Sequence, residues 1–297
     1  MGFFQALMLL ASSAAVATDA SAQQADSGQE ITVTGRREAI TQTLRQVLNE
    51  SDSGQIGRFE ERICPGVAGL PENYAATIVG IIRANAAAAG LKLLDEGCRP
   101  NAVAVFVSQP ATLINGWFEK DPSLFGTMEK KEVMALTDRP YPIVSWRVTE
   151  TRVWDGTQAE RASSIGGASA SGKKGIMIVR NAIASRNRES VREDILLSMA
   201  VVDTKAIKGK SLQQLADIAT LHLLLDIDPD AGKKASQDSV LSLFESRPAG
   251  VPLPQELSDF DRGLLRGLYK NRENNLSGSN QRSRMVREIR RETGEKR

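Results

Sequence analysis

Residues 211–227 read SLQQLADIATLHLLLDI, and the fold turns on this stretch. Leu212, Leu215, Ala219 and His222 recur at helical spacing, which puts them on one face of a 3.6-residue helix. Ile218, Leu221 and Leu225 widen that face, as a helix covered on more than one side requires. The stretch is therefore expected to be a core helix whose role is packing, and its neighbours in sequence must supply what covers it.

Working outward, the segments before it alternate as strands do. Asn101–Val107 places Val103, Val105 and Val107 on one face, Ile143–Val153 is a longer strand, and Gly175–Ala184 and Asp194–Val202 follow. Helices are expected at Glu38–Leu48, Asn73–Ala89, Leu113–Phe118 and Met128–Leu136. The second is the clearest, with Pro71 before it, alanine-rich turns within it and Gly90 as its stop. Beyond the central helix come Ser239–Phe244 and Ser258–Tyr269. In the latter, Ser258 and Asp261 stand at the N-cap and N3 positions of a capping box, a structural role rather than a catalytic one. Trp154–Lys174 is rich in Gly and Ser and reads as a mobile loop. These elements give an α+β fold, a small mixed sheet packed against helices.

The chain has 297 residues, 38 Lys and Arg against 36 Asp and Glu, and a formal charge of +2. That balance excludes nucleic acid as the main partner. Aromatic residues make up 5%, too few for a sugar-stacking platform. An apolar run from Phe3 to Val16 precedes Ala20-Ser21-Ala22, whose small residues at −3 and −1 fit signal peptidase. The run is too short to span a bilayer, and no Lys or Arg precedes it. Residues 1–22 are thus expected to be a signal peptide cleaved after Ala22, with the mature chain periplasmic or secreted. No second apolar run is long enough for a membrane span.

Domain organisation follows as a flexible arm at 23–37, a single α+β domain at 38–270 with its mobile loop at 155–174, and a basic C-terminal tail at 271–297. In the arm, Glu30–Arg37 alternates as a weak strand and resembles the start of mature TonB-dependent receptors near the energy-coupling box. In the tail, 281–292 suits a basic helix with Met285 and Ile289 inward. It is expected to be a solvated docking helix, with peripheral contact to anionic membrane as the alternative. The two cysteines, Cys64 and Cys98, are expected to bond in an oxidising compartment. Free buried thiols or a metal pair are the rivals, although one histidine in the whole chain leaves little for a Cys/His zinc site.

Several stretches approach known chemistry. Gly167–Lys174 nearly spells a phosphate-binding loop, but Lys174 stands where Ser or Thr should hold magnesium. Ser171 and Lys174 have the spacing of a penicillin-binding nucleophile pair, in a loop instead of at a helix start. Asp226, Asp228 and Asp230 alternate as in the opening of a calcium loop, yet Ala231 replaces the turn glycine and Gln237 the bidentate glutamate. His222 would have to serve any catalytic triad, with Asp226 or Asp228 as its carboxylate. The structural reading makes it a core residue.

The part from about Ile195 to Ile289 resembles exported Gram-negative proteins related to matrixin-like zinc metallopeptidases. The resemblance rests on an edge strand at Leu196–Val202, the helix Leu212–Leu225, the segment Ser239–Phe244, Asp261-Arg262, and Leu264-Leu265-Arg266-Gly267-Leu268-Tyr269. It implies a peptidase-like scaffold. The zinc motif His-Glu-x-x-His is missing: with His222 as its second histidine, Ile218 and Ala219 occupy the places of the first histidine and the general base. The expectation is a non-catalytic binding or structural module without cofactor or metal, whose partner is another envelope protein or a peptide. A metal-independent hydrolase using His222, or an accessory of TonB-dependent transport docking through Glu30–Arg37 as an added strand, are the alternatives.

Overall fold

Eleven strand residues at Ile143–Val153 and thirteen at Val191–Asp203 pair antiparallel and form the backbone of the main sheet. A computed structural model describes residues 27–51, 54–138, 141–162, 164–165, 168–169, 176–178, 185, 188–270 and 273–294. In chain order the elements are α1 (Ser27–Val47), β1 (Pro65–Ala68), α2 (Glu72–Ala89), β2 (Ala102–Val107), α3 (Pro110–Lys120), a 3-10 turn (Pro122–Phe125), α4 (Lys130–Thr137) and β3 (Ile143–Val153). Then follow the short strands β4 (Glu160–Ala162), β5 (Ser164–Ile165), β6 (Ala168–Ser169) and β7 (Ile176–Ile178), and β8 (Val191–Asp203). The chain continues through α5 (Leu212–Leu224), α6 (Ala231–Lys234), a 3-10 turn (Val240–Ser242), α7 (Asp259–Tyr269) and α8 (Gly278–Glu292). The fold is α+β. Two compact units are distinguished, one ending at Ala39 and the other running from Ile40 to Arg297.

The main sheet has the order β1-β2-β8-β3, with β1, β2 and β8 parallel and β3 antiparallel. Both faces are covered, which is why β2 and β8 read as nearly continuous apolar runs. One face sets Ala102, Ala104, Phe106, Ala200 and Val202 against α2, α5 and α7. The other sets Val105, Val144, Trp146, Met199 and Val201 against Ile114, Phe125 and Val133. There Trp146 stacks on Phe125 with ring centroids 4.8 Å apart, and its Nε1 donates to the Leu124 carbonyl at 2.8 Å.

Helix α5 is buried from Gln214 to Leu224, as its two-sided apolar pattern requires. Its start is a capping box in which Ser211 accepts from the Gln214 amide and the Gln214 side chain accepts from Ser211 N. The same device opens α7 through Ser258 and Asp261. Buried Asp261 also accepts from Ser239 Oγ at 2.6 Å and from Val240 N at 3.0 Å, so one carboxylate fastens two distant segments. Cys64 and Cys98 are joined, with their Cα atoms 6.1 Å apart. The bridge ties the entry of β1 to the loop before β2.

Helices α7 and α8 cross at Gly263 and Gly267. A Cβ on Gly263 would stand 2.5 Å from Ile289 Cα, and one on Gly267 would stand 2.8 Å from Met285 Cγ. The two glycines are one turn apart and let the backbones meet. Met285, Val286 and Ile289 are buried by the contact, so the expected basic helix docks with Met285 and Ile289 inward, and it belongs to the larger unit instead of a separate tail.

Three further expectations are corrected. Ile31–Thr34, expected as strand in a flexible arm, is helical within α1: a helix nucleated at Glu38–Val47 extends by one hydrogen bond per residue, and four alternating residues do not outweigh that. The strand Leu196–Val202, expected at an edge, lies inside the sheet between β2 and β3, and the edges are β1 and β3. Part of the expected loop 155–174 is paired: β4 with β7, and β5 with β6. Gly167 and Ala170–Lys174, with most of the phosphate-loop and Ser171/Lys174 readings, lie outside the described residues.

Candidate functional site around His222

Alternation along β3 turns Trp146 to one face of the sheet and Ser145 and Arg147 to the other, where α5 lies. His222, in the last turn of α5, is 7% exposed, and its Nδ1 is 3.0 Å from Ser145 Oγ. The distance suits either tautomer. Burial is the main force on the imidazole, with Arg147 adding to it, and together they push it down to about 3.

Arg147 finishes the helix. Its Nη2 donates to the His222 carbonyl at 2.6 Å, satisfying an acceptor that the end of α5 leaves open. Its Nη1 pairs with Asp226 at 3.1 Å. Burial pulls the guanidinium below its ordinary value, and Asp226 opposes that. Asp226 also accepts from Asn49 Nδ2 at 3.1 Å, while Asn49 N donates to the Asp226 carbonyl at 2.8 Å. The segment after α1 is thereby held to the exit of α5.

The sequence-predicted carboxylates therefore diverge. Asp226 faces Arg147 and Asn49, not the imidazole. Asp228 accepts from Asp230 N at 2.9 Å and from Lys234 Nζ at 3.0 Å. Asp230 pairs with Lys233 at 2.8 Å. Among the described residues, no group of three or more His, Cys, Asp or Glu is placed to hold a metal ion. Chemically, the cluster offers a hydroxyl beside an imidazole. A general base works best when its pKa lies near the working pH, and an imidazole held at about 3 has little basicity at neutral pH.

Ser145, Arg147 and Asn49 escaped the sequence reading because each lies far along the chain from His222. The only available signal was an arginine on the inward face of an otherwise apolar strand.

A second polar cluster lies on the far side of α5. Asp217, fully buried, accepts from Asn85 Nδ2 at 2.7 Å, from Gln213 Nε2 at 3.0 and 2.9 Å, and from Leu257 N at 3.0 Å. Burial raises its pKa, and these hydrogen bonds oppose the rise. It forms part of the wall of a small cavity of about 80 Å3 between α2, α5 and α7.

Among the described residues, no helix is long and apolar enough to cross a membrane. Compared with protein-family models, curated proteins and solved structures, the chain matches none, so the peptidase resemblance stands on the quoted residues alone.

Proposed function

We propose that this chain is an exported, non-catalytic binding module that takes an extended segment of another envelope protein as an added strand along β3. The observation that carries this reading is the edge itself. β3 runs for eleven residues and pairs only with β8 among the main-sheet strands. Among the described residues, no strand pairs with the opposite side of Ile143–Thr151, which leaves that side to offer backbone donors and acceptors to an extended partner. Behind it the strand is held rigid, by Ser145 and Arg147 against α5 and by Trp146 against Phe125. A rigid edge loses little entropy on pairing. The Cys64–Cys98 bridge and the signal-like Ala20-Ser21-Ala22 support an oxidising compartment outside the cytoplasm.

The hydrolase alternative finds less support, because Asp226 is turned away from an imidazole with depressed basicity. Docking through Glu30–Arg37 as an added strand loses its basis, since Ile31–Thr34 is helical. The test is selection of extended peptides from a displayed library, followed by amide exchange of the complex. Slowed exchange concentrated in Ile143–Thr151 is expected. Selected peptides that protect other segments, or a library that yields none, would reject the proposal. A hydrolase screen of the wild type beside Ser145→Ala checks the alternative: an activity lost in that variant would restore it.

A further inference from the structure

We infer that β3 pairs with β3 of a second copy of this chain, across a two-fold axis at Arg147, and that this dimer masks the edge from peptides. Which backbone groups of β3 face outward is fixed at both ends of the strand. Asp203 N donates to the Pro142 carbonyl at 2.8 Å, and Trp154 N donates to the Ser190 carbonyl at 3.0 Å. Even-numbered residues of β3 are thereby turned toward β8. The bulge between these anchors adds Leu196 to β8, so β3 itself alternates without a break. Odd-numbered residues then turn their N–H and C=O groups away from the sheet. At Val153 both groups are taken, the carbonyl by Gly156 N at 2.8 Å and the N–H by the Thr157 carbonyl at 2.9 Å. The open run is Ile143, Ser145, Arg147, Thr149 and Thr151, whose outward backbone groups find no partner among the described residues.

This run is its own complement. A two-fold axis perpendicular to the sheet makes the two strands antiparallel and sets residues of like parity opposite each other. With the axis at Arg147, Ile143 opposes Thr151, Ser145 opposes Thr149, and Arg147 opposes its own copy. Each of these pairs exchanges both of its hydrogen bonds, and every open N–H and C=O of the run is used, with no overhang onto Val153. The residues between them set Trp146 against Val148 and Val144 against Glu150. Aromatic and β-branched side chains thus become cross-strand neighbours, and Glu150 meets no like charge. Arg147 alone faces its own charge. Its side chain is 3% exposed and already paired with Asp226, so pairing strips little further water from it. The strand also lacks two common guards of an edge, since Ile143–Thr151 contains no Lys and no Pro. A contact confined to one strand falls short of the roughly 1,200–2,000 Å2 of a stable interface, so the dimer is expected to be reversible.

The masking rests on the reading of β3 as a peptide edge; the dimer itself does not. Sedimentation velocity of the oxidised chain over a dilution series is expected to show a monomer–dimer equilibrium. Residue-resolved amide exchange then locates the contact. The amides of Val144, Trp146, Val148 and Glu150 face β8 and should be protected at every concentration. Those of Ile143, Ser145, Arg147, Thr149 and Thr151 should slow only as the dimer forms. Thr149→Pro removes an outward donor without costing a bond to β8, and should shift the equilibrium about tenfold or more toward monomer. If that variant melts below the wild type at high dilution, Thr149→Lys places a guarding charge on the edge instead and should act in the same direction. A chain that stays monomeric up to its solubility limit would overturn the inference. So would a dimer whose formation leaves those five amides exchanging as before, or a selected peptide that binds the dimer without dissociating it. Peptide binding by a chain that is always monomeric would sink the dimer and spare the peptide reading. A dimer with the expected amide pattern and no selectable peptide would do the reverse.

Discussion

Replacing Gly263 by alanine puts the α7–α8 crossing to a direct test. In an exposed helix interior this substitution stabilises, since alanine is about 0.8–1 kcal/mol better than glycine there. At Gly263 the new methyl carbon would stand 2.5 Å from Ile289 Cα, 2.6 Å from Ile289 Cγ1 and 2.8 Å from Ile289 N. Carbon atoms rest at about 3.5–4.0 Å, so α8 must retreat by roughly 1 Å or more. Two of the three obstructing atoms are backbone, so no rotamer change relieves the contact. Retreat loosens Met285, Val286 and Ile289, all buried in the crossing. Overpacking of this kind costs about 1–3 kcal/mol, which here overrides the gain in propensity. A net loss of about 2 kcal/mol corresponds to roughly 4–8 °C in melting temperature for a unit of this size. Gly80 on α2 is the control, because a Cβ there meets nothing within 4 Å. Gly80→Ala should stabilise by a few tenths to 1 kcal/mol. Urea and thermal unfolding of both variants, with the disulfide intact, give the comparison. If Gly263→Ala gained stability as Gly80→Ala does, the close crossing would be wrong and α8 would not dock on α7.

Reducing Cys64–Cys98 should cost about 3–4 kcal/mol, the chain-entropy value for a loop of about 35 residues, read from denaturation with and without reductant. His222 titrates near 6.5 when unfolded but is held at about 3 when folded, so its contribution is whole above pH ~6.5 and is lost as pH falls toward 3. That loss is at most about 4–5 kcal/mol, and His222→Gln should flatten this part of the stability–pH curve. An unchanged acid slope in the variant would show that the imidazole is not buried as described. Asp261→Asn keeps the shape of the side chain but sets an amide hydrogen against donors that now meet a carboxylate. A loss of about 2–3 kcal/mol in chemical denaturation is expected, and a neutral result would mean that Ser239 and Val240 are not fastened through this group.

Much of the architecture was legible because its signals are local. The α5 helix announced itself by apolar spacing on two faces, α7 by Ser258 and Asp261, and the disulfide by the presence of two cysteines alone. The order of the strands was harder to read. β8, with its run Ile195-Leu196-Leu197-Ser198-Met199-Ala200-Val201-Val202, has the near-continuous apolarity of an interior strand. β3 interleaves Arg147, Glu150 and Arg152 as an edge does. That contrast was available and points to the observed order, but the peptidase resemblance had set Leu196–Val202 at the edge. β1 was beyond reach, since Pro-Gly-Val-Ala carries no period and pairs only because β2 lies beside it. The surroundings of His222 were hidden for a different reason. Ser145 and Arg147 reach it, and Asn49 reaches Asp226 beside it, only through the register of β3 on β8 and the path of the chain after α1, and no local spacing encodes either.

The bridge between Cys64 and Cys98 encloses β1 and the whole of α2, and stops just short of β2. Chain pulled from its two ends would carry tension across the sulfur link and not through the enclosed segment. Of the 34 residues of separation, roughly 110 Å of extended chain, at about 3.3–3.6 Å per residue, would stay coiled as slack under load. Oxidised and reduced molecules would therefore share a resting shape yet differ in reach once stretched. During threading through a narrow translocase or protease pore, the oxidised form would present a closed ring, wider than a single extended strand, at the point where β1 begins.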